Sequence, residues 1–94
     1  MASNSKAIPI YVNYITTNDT KTLIIPRNIT VKELKKEIEV IFNLSYSLDE
    51  TFLRLKKPGM MYAGKLICDE DKTLFENHFL PESLVIFGKE KLLG

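Results

Sequence analysis

Met61-Tyr62-Ala63-Gly64-Lys65, then Asp69-Glu70-Asp71-Lys72-Thr73-Leu74, then Pro81-Glu82-Ser83-Leu84-Val85-Ile86, is the run of sequence whose reading decides the fold. In order it predicts a strand, a tight turn at Ala63-Gly64-Lys65, an acidic turn, a short helical turn headed by Thr73-Leu74, a loop and a last strand. Gly64 gives the tight turn its backbone freedom. Leu66-Ile67 reads as a short strand, Leu74 to Phe79 as one helical turn, and Leu84 to Phe87 as the final strand.

Upstream, the chain alternates and then turns periodic. Met1 to Lys6 is small and polar and reads as a frayed end. Ile10, Val12 and Tyr14 alternate with Tyr11, Asn13 and Ile15, the pattern of a half-buried strand. Thr16 to Thr20 is a turn, because Asn18 and Asp19 tolerate left-handed backbone and bond to their own chain. Lys21 to Ile25 returns as a second strand and closes a hairpin, and Pro26, with no N–H to donate, stops it. Thr30 reads as a helix N-cap with Glu33 at capping-box spacing. Val31, Leu34, Ile38, Ile41 and Phe42 make an apolar stripe, and Lys32, Glu33, Lys35, Lys36, Glu37 and Glu39 are assigned to the solvent side. The helix is expected over about 31–43 with Asn43 at its end. Ser45 to Glu50 is a polar loop. Phe52, Leu53 and Leu55 begin a strand, and Pro58-Gly59 is a turn signal.

A hairpin, one amphipathic helix and three short strands predict an α+β fold, a mixed four- to five-stranded sheet packed on one helix. The helix is the crossover that brings a later strand parallel to the first. The 94 residues allow one domain, with a net charge of +1. It is expected over 8–88, after a disordered segment 1–7 and before a charged tail 89–94. That charge gives no basic excess for nucleic acid. No apolar run approaches the ~20 residues of a membrane span. Cys68, the single cysteine, excludes an internal disulfide and points to a reducing, intracellular setting, cytoplasmic or nuclear. It reads as a small apolar filler. His78 is the one histidine, too few for a zinc site or a triad. Gly59, Gly64, Gly88 and Gly94 are too scattered for a phosphate loop, and no serine sits on a strand–turn–helix elbow. The expectation is no catalytic residue, no metal and no cofactor.

These residues resemble the ubiquitin family. Thr30-Val31-Lys32-Glu33-Leu34-Lys35 matches the start of that family's helix in kind and placement. Tyr62-Ala63-Gly64-Lys65 is similar to its Phe-Ala-Gly-Lys turn, Lys72-Thr73-Leu74 to its Arg-Thr-Leu, and Glu82-Ser83-Leu84 to its Glu-Ser-Thr-Leu, one residue shorter. The likeness spans roughly Ile8 to Phe87 and implies a ubiquitin-like β-grasp, a monomer that works as a surface for other proteins. Leu53-Arg54-Leu55, the Lys56-Lys57-Pro58-Gly59 insertion and Phe87-Gly88-Lys89-Glu90 are similar to ubiquitin-like domains embedded in deubiquitinating enzymes. On that resemblance the partner is a ubiquitin-pathway protein or a parent catalytic domain of the cysteine type.

The family's binding surface is an apolar patch on the sheet. The positions that match it are Ile15, Met61 and either Ile86 or Phe87, with Lys56, Lys57 and Lys65 as a basic rim. Asp69-Glu70-Asp71 is expected to be a solvated turn, with a docking surface for a basic partner as its alternative. Two other functions compete. A free modifier of this family ends in Gly-Gly, and this sequence ends Leu93-Gly94. A Ras-association-type domain, which adds its edge strand to a small GTPase, needs basic residues on the first two strands, where only Lys21 and Arg27 are near.

Overall fold

The computed structural model describes residues 6–59 and 64–88. β1 (Ala7–Tyr14) and β2 (Asp19–Pro26) form the hairpin, and Asn18 takes the left-handed backbone (φ 56°) that its turn demands. Helix α1 (Val31–Ile41) follows, then β3 (Arg54–Lys56), β4 (Lys65–Leu66) and β5 (Ser83–Phe87). The sheet order is β2-β1-β5-β3-β4, with β1 and β5 parallel and the other pairs antiparallel. This is the expected mixed sheet with its helical crossover. β1 begins at Ala7, and β3 is shorter than expected, since Phe52 and Leu53 precede it.

Helix α1 has both of its ends satisfied. The Thr30 hydroxyl accepts from the Glu33 N–H at 3.2 Å, and the Glu33 carboxylate accepts from the Thr30 N–H at 2.9 Å. At the other end Asn43 is left-handed (φ 51°), and the Leu44 N–H reaches back to the Glu39 carbonyl at 3.0 Å. That is a Schellman closure with Asn in place of the usual Gly.

The inner faces of β1, β2, β3 and β5 meet the helix. Ile8, Ile10, Val12, Ile25, Leu55, Val85 and Phe87 pack with Val31, Leu34 and Ile38 in one core. Leu48, Leu53, Ile67, Leu74 and Phe79 reach it from the connections. Phe87 stacks on Tyr14 at 4.7 Å between ring centroids, and Phe42 meets Phe87 edge-on at 5.3 Å. Phe42 closes the sheet end of the core, and Ile41 is only half-buried.

Lys35 differs from its expected solvent position: it is buried, with a side-chain exposure of 1%. Its stem lies in the core stripe, and its ammonium donates to Glu70 Oε2 at 2.6 Å. An aliphatic stem can fill a core position when its head reaches a partner at the rim.

A second capped segment lies beside the first. The Thr73 N–H donates to Glu76 Oε1 at 2.9 Å, and the Glu76 N–H donates to the Thr73 hydroxyl at 3.0 Å. Thr30 and Thr73 form an isolated bridge, flanked by bonds from the Val31 N–H to the Lys72 carbonyl and from the Leu74 N–H to the Ile29 carbonyl. The expected helical turn is therefore a run of hydrogen-bonded turns, 74–78, capped like a helix.

Candidate functional site

Strand alternation sorts the sheet into two faces. Because Leu55 and Val85 point inward as a pair, Arg54, Lys56, Leu84 and Ile86 point outward, in register as Arg54 opposite Ile86 and Lys56 opposite Leu84. Beside them the hairpin turn brings Ile15 close, its N–H donating to the Phe87 carbonyl at 2.9 Å. Together with Phe52 and Gly88 these residues line an open groove of about 400 Å³. Phe52 is 58% exposed, a large apolar ring left in water at the groove wall. Among the described residues, Arg54 and Lys56 are its only charged lining.

Gly88 fixes one end of the groove. Its φ is +108°, and a Cβ there would stand 2.9 Å and 3.0 Å from carbons of the Tyr14 ring and 3.0 Å from the Thr16 hydroxyl. Only glycine lets the chain leave β5 this close to the hairpin turn.

The expected site residues divide as follows. Ile15 and Ile86 come together in the groove. Between the two register alternatives, Ile86 takes the outer face and Phe87 is buried in the core, so the apolar side chain offered there is Ile86. Of the rim lysines, Lys56 lines the groove. Lys57 and Lys65 line a different cleft of about 470 Å³, with Cys68, Lys72 and His78. Met61 lies outside the described residues. Arg54, Phe52 and Leu84 went unread as site residues, although the period of two through Leu55 and Val85 places 52, 54 and 56, and 84 and 86, on one face.

The acidic turn is occupied from within. Asp69, Glu70 and Asp71 pair with Lys72 at 3.9 Å, Lys35 at 2.6 Å and Lys32 at 2.7 Å. The hydrogen bond from Lys32 to Asp71, reinforced by the carboxylate's charge, raises the Lys32 pKa above its ordinary value. Glu70 and Asp71 tie the turn to helix α1, while Asp69 pairs within the turn itself. Cys68, expected as a buried filler, is exposed. His78 is exposed on a left-handed turn (φ 66°). Among the described residues no three His, Cys, Asp or Glu side chains cluster as a metal site, and no helix is long and apolar enough to cross a membrane.

Comparison with known proteins turns on shape. No protein-family model matches the chain, and no curated protein matches it in sequence. Solved structures do match. The ubiquitin-like domain of tubulin-binding cofactor B superposes with a TM-score of 0.74 at 14% identity, covering 89% of this chain and 90% of that one. The C-terminal ubiquitin-like domain of mouse tubulin-specific chaperone e gives 0.75 at 9% identity, over 99% and 96%. A ubiquitin-like domain from Arabidopsis thaliana gives 0.63 at 20% identity, over 92% and 80%. The fold is a ubiquitin-like β-grasp, which the described strand order and helix already define.

Proposed function

We propose that this chain is a non-catalytic protein-interaction domain that docks its partner in the groove on the outer face of the sheet. One observation carries this reading. Among the described residues, an open groove walled by Ile15, Phe52, Leu84 and Ile86 carries only cations, Arg54 and Lys56, in its charged lining. Exposed apolar clusters rimmed by polar groups mark binding surfaces. Rim cations steer a partner of opposite charge more than they hold it.

The larger setting we propose is a ubiquitin-pathway protein of the ubiquitin-specific protease kind. The support is the likeness of Leu53-Arg54-Leu55 and the Lys56-Lys57-Pro58-Gly59 turn to domains embedded in such enzymes. Ubiquitin and a deubiquitinase catalytic domain are therefore the first partners to titrate against the isotopically labelled chain. Tubulin is the third, because two similar structures come from tubulin-handling proteins. The expected result is amide shifts at Ile15, Leu84 and Ile86 with one of them, weakened by Phe52→Asp and by Arg54→Glu. Both side chains are exposed, so neither change should unfold the domain. Shifts confined to helix α1 would reject the groove.

A further inference from the structure

At the other end of the sheet stands a side chain that the groove does not use. β1 starts at Ala7, opposite Pro26 of β2, and Arg27 follows Pro26. The groove lies at the far end of β1, by Ile15 and Gly88, and Arg27 does not line it. The turns 74–78 are pinned against this corner. The Phe75 N–H donates to the Arg27 carbonyl at 2.9 Å, and the Leu74 N–H to the Ile29 carbonyl at 2.9 Å.

The guanidinium is held on two sides. Its central carbon lies 5.1 Å from the centre of the Phe75 ring. Its Nη1 donates to the Phe79 carbonyl at 3.1 Å. Phe79 is itself buried, so that carbonyl is anchored to the core. A fork fixed in this way gives up little freedom when it binds. One edge remains. Nε is shielded from water, and among the described residues it is the one buried side-chain nitrogen or oxygen without a hydrogen-bond partner. No carboxylate of the described residues lies within ion-pair reach of Arg27. A buried N–H with no acceptor costs stability, and its presence calls for a cause. Beside it, Phe75 and Leu80 are each 44% exposed.

We infer that Arg27 forms a second binding site, which takes a carboxylate of a partner protein flanked by apolar side chains. The carboxylate accepts from Nε and Nη2 together, the paired geometry that an arginine edge offers. Its apolar neighbours cover Phe75 and Leu80, and by excluding water they strengthen the pair. One guanidinium matches the single charge of an Asp or Glu side chain.

The test uses a capped synthetic peptide with a Glu between leucines, its Gln counterpart, and sodium acetate. Each is titrated into the isotopically labelled chain, and the arginine Nε–H signals are followed together with the amides. The sequence holds two arginines, Arg27 and Arg54, and Arg54→Gln assigns the signals. The Glu peptide is expected to move the Arg27 Nε–H downfield and to shift the Phe75 and Leu80 amides. The Gln peptide is expected to bind about tenfold more weakly, the loss of a charged hydrogen bond. Arg27→Lys, which keeps the charge and loses the fork, is expected to abolish the response. That change also removes the bond to Phe79, so Phe75→Ser, at an exposed position, serves as the second variant. It is expected to weaken the Glu peptide about threefold, through the lost ring beneath the cation. Equal binding of the Glu and Gln peptides, an unmoved Arg27 Nε–H, or full affinity in Phe75→Ser would overturn the site. An acetate response as strong as the peptide's would show an adventitious ion only and overturn the partner. Tighter binding with phosphoserine in place of Glu would assign the edge to a phosphate and overturn the carboxylate. Shifts confined to Ile15, Leu84 and Ile86 would return the peptide to the groove and overturn the second site.

Discussion

Lys35 decides more than its place in the sequence suggests. Its ammonium, held at 2.6 Å by Glu70, sits on a side chain with 1% exposure, while Glu70 keeps 17%. Removing one partner of a buried pair strands the other charge, whereas replacing both with apolar groups can be neutral. Glu70→Leu is therefore expected to cost about 3–5 kcal/mol in urea unfolding. The double variant Lys35→Met/Glu70→Leu is expected to regain most of that loss; a double as unstable as the single would show that the pair is not the cause. The position was legible and the residue was not. Positions 31, 35 and 38 follow the i, i+4, i+7 spacing of one helix face, but lysine at 35 argued for solvent, and only the placement of Glu70 reverses this. Tyr46 gives a second test at this scale. Burial first, and then its hydrogen bond to the Tyr14 hydroxyl at 2.9 Å, push its pKa up to about 12. A phenol whose folded pKa lies above its ordinary value of ~10 adds stability that is complete below that value and lost as pH rises toward 12. In an ultraviolet titration, Tyr46→Phe is expected to remove a tyrosine step near pH 12.

At the scale of elements, the two capping boxes are the informative pair. Thr30→Ala and Thr73→Ala are each expected to cost roughly 1 kcal/mol. Because Thr30 and Thr73 bridge one another, the double variant should depart from additivity, as contacting sites do; a strictly additive result in chemical denaturation would count against a shared unit. The Thr73 N–H, and then its hydroxyl, hold the Glu76 carboxyl below the usual range. That contribution is present above the unfolded carboxyl pKa and is lost as pH falls through the lowered folded value. Carbon-detected NMR should find Glu76 titrating low in the native chain and closer to normal in Thr73→Ala. The first box was readable because Thr30-x-x-Glu33 opens a long apolar stripe. Thr73-x-x-Glu76 has the same spacing but opens only a short run of turns, with no stripe to announce it. The strands show the same divide. Alternation fixes which residues share a face, but β3 and β4 are so short that sequence alone left Ile86 and Phe87 undecided until the register with Tyr14 and Arg54 was known.

At the scale of the whole molecule, the outer face of the sheet stands apart in charge. Among the described residues its strands present only cations outward, Arg54 and Lys56, while helix α1 mixes three lysines with three glutamates and two of those lysines pair with the acidic turn. Binding at the groove is accordingly expected to weaken as salt rises, since exposed charges are screened within about 10 Å at 0.1 M, and an affinity that ignores salt would deny the cations a part. Sequence order alone gave the hairpin, helix and parallel return, because each has a local signal. The groove gave less, because its walls come from three separated segments that only tertiary pairing brings together.

The parallel contact of β1 with β5 has a mechanical consequence. The register sets Ile10 against Ser83 and Tyr14 against Phe87, so the chain enters β1 at one end of the sheet and leaves β5 at the other. Tension applied through the two ends pulls these neighbours in opposite directions along their own length. Every bond between them is then loaded at once, in shear, instead of being peeled open one by one. Held between two stretches of a longer polypeptide, the domain should resist stretching far more than a hairpin pulled apart from its open end. In an optical trap it is expected to yield in one abrupt step at high force when gripped at its ends. Pulled instead between Asp19 and Phe87, across the sheet, it should open at markedly lower force.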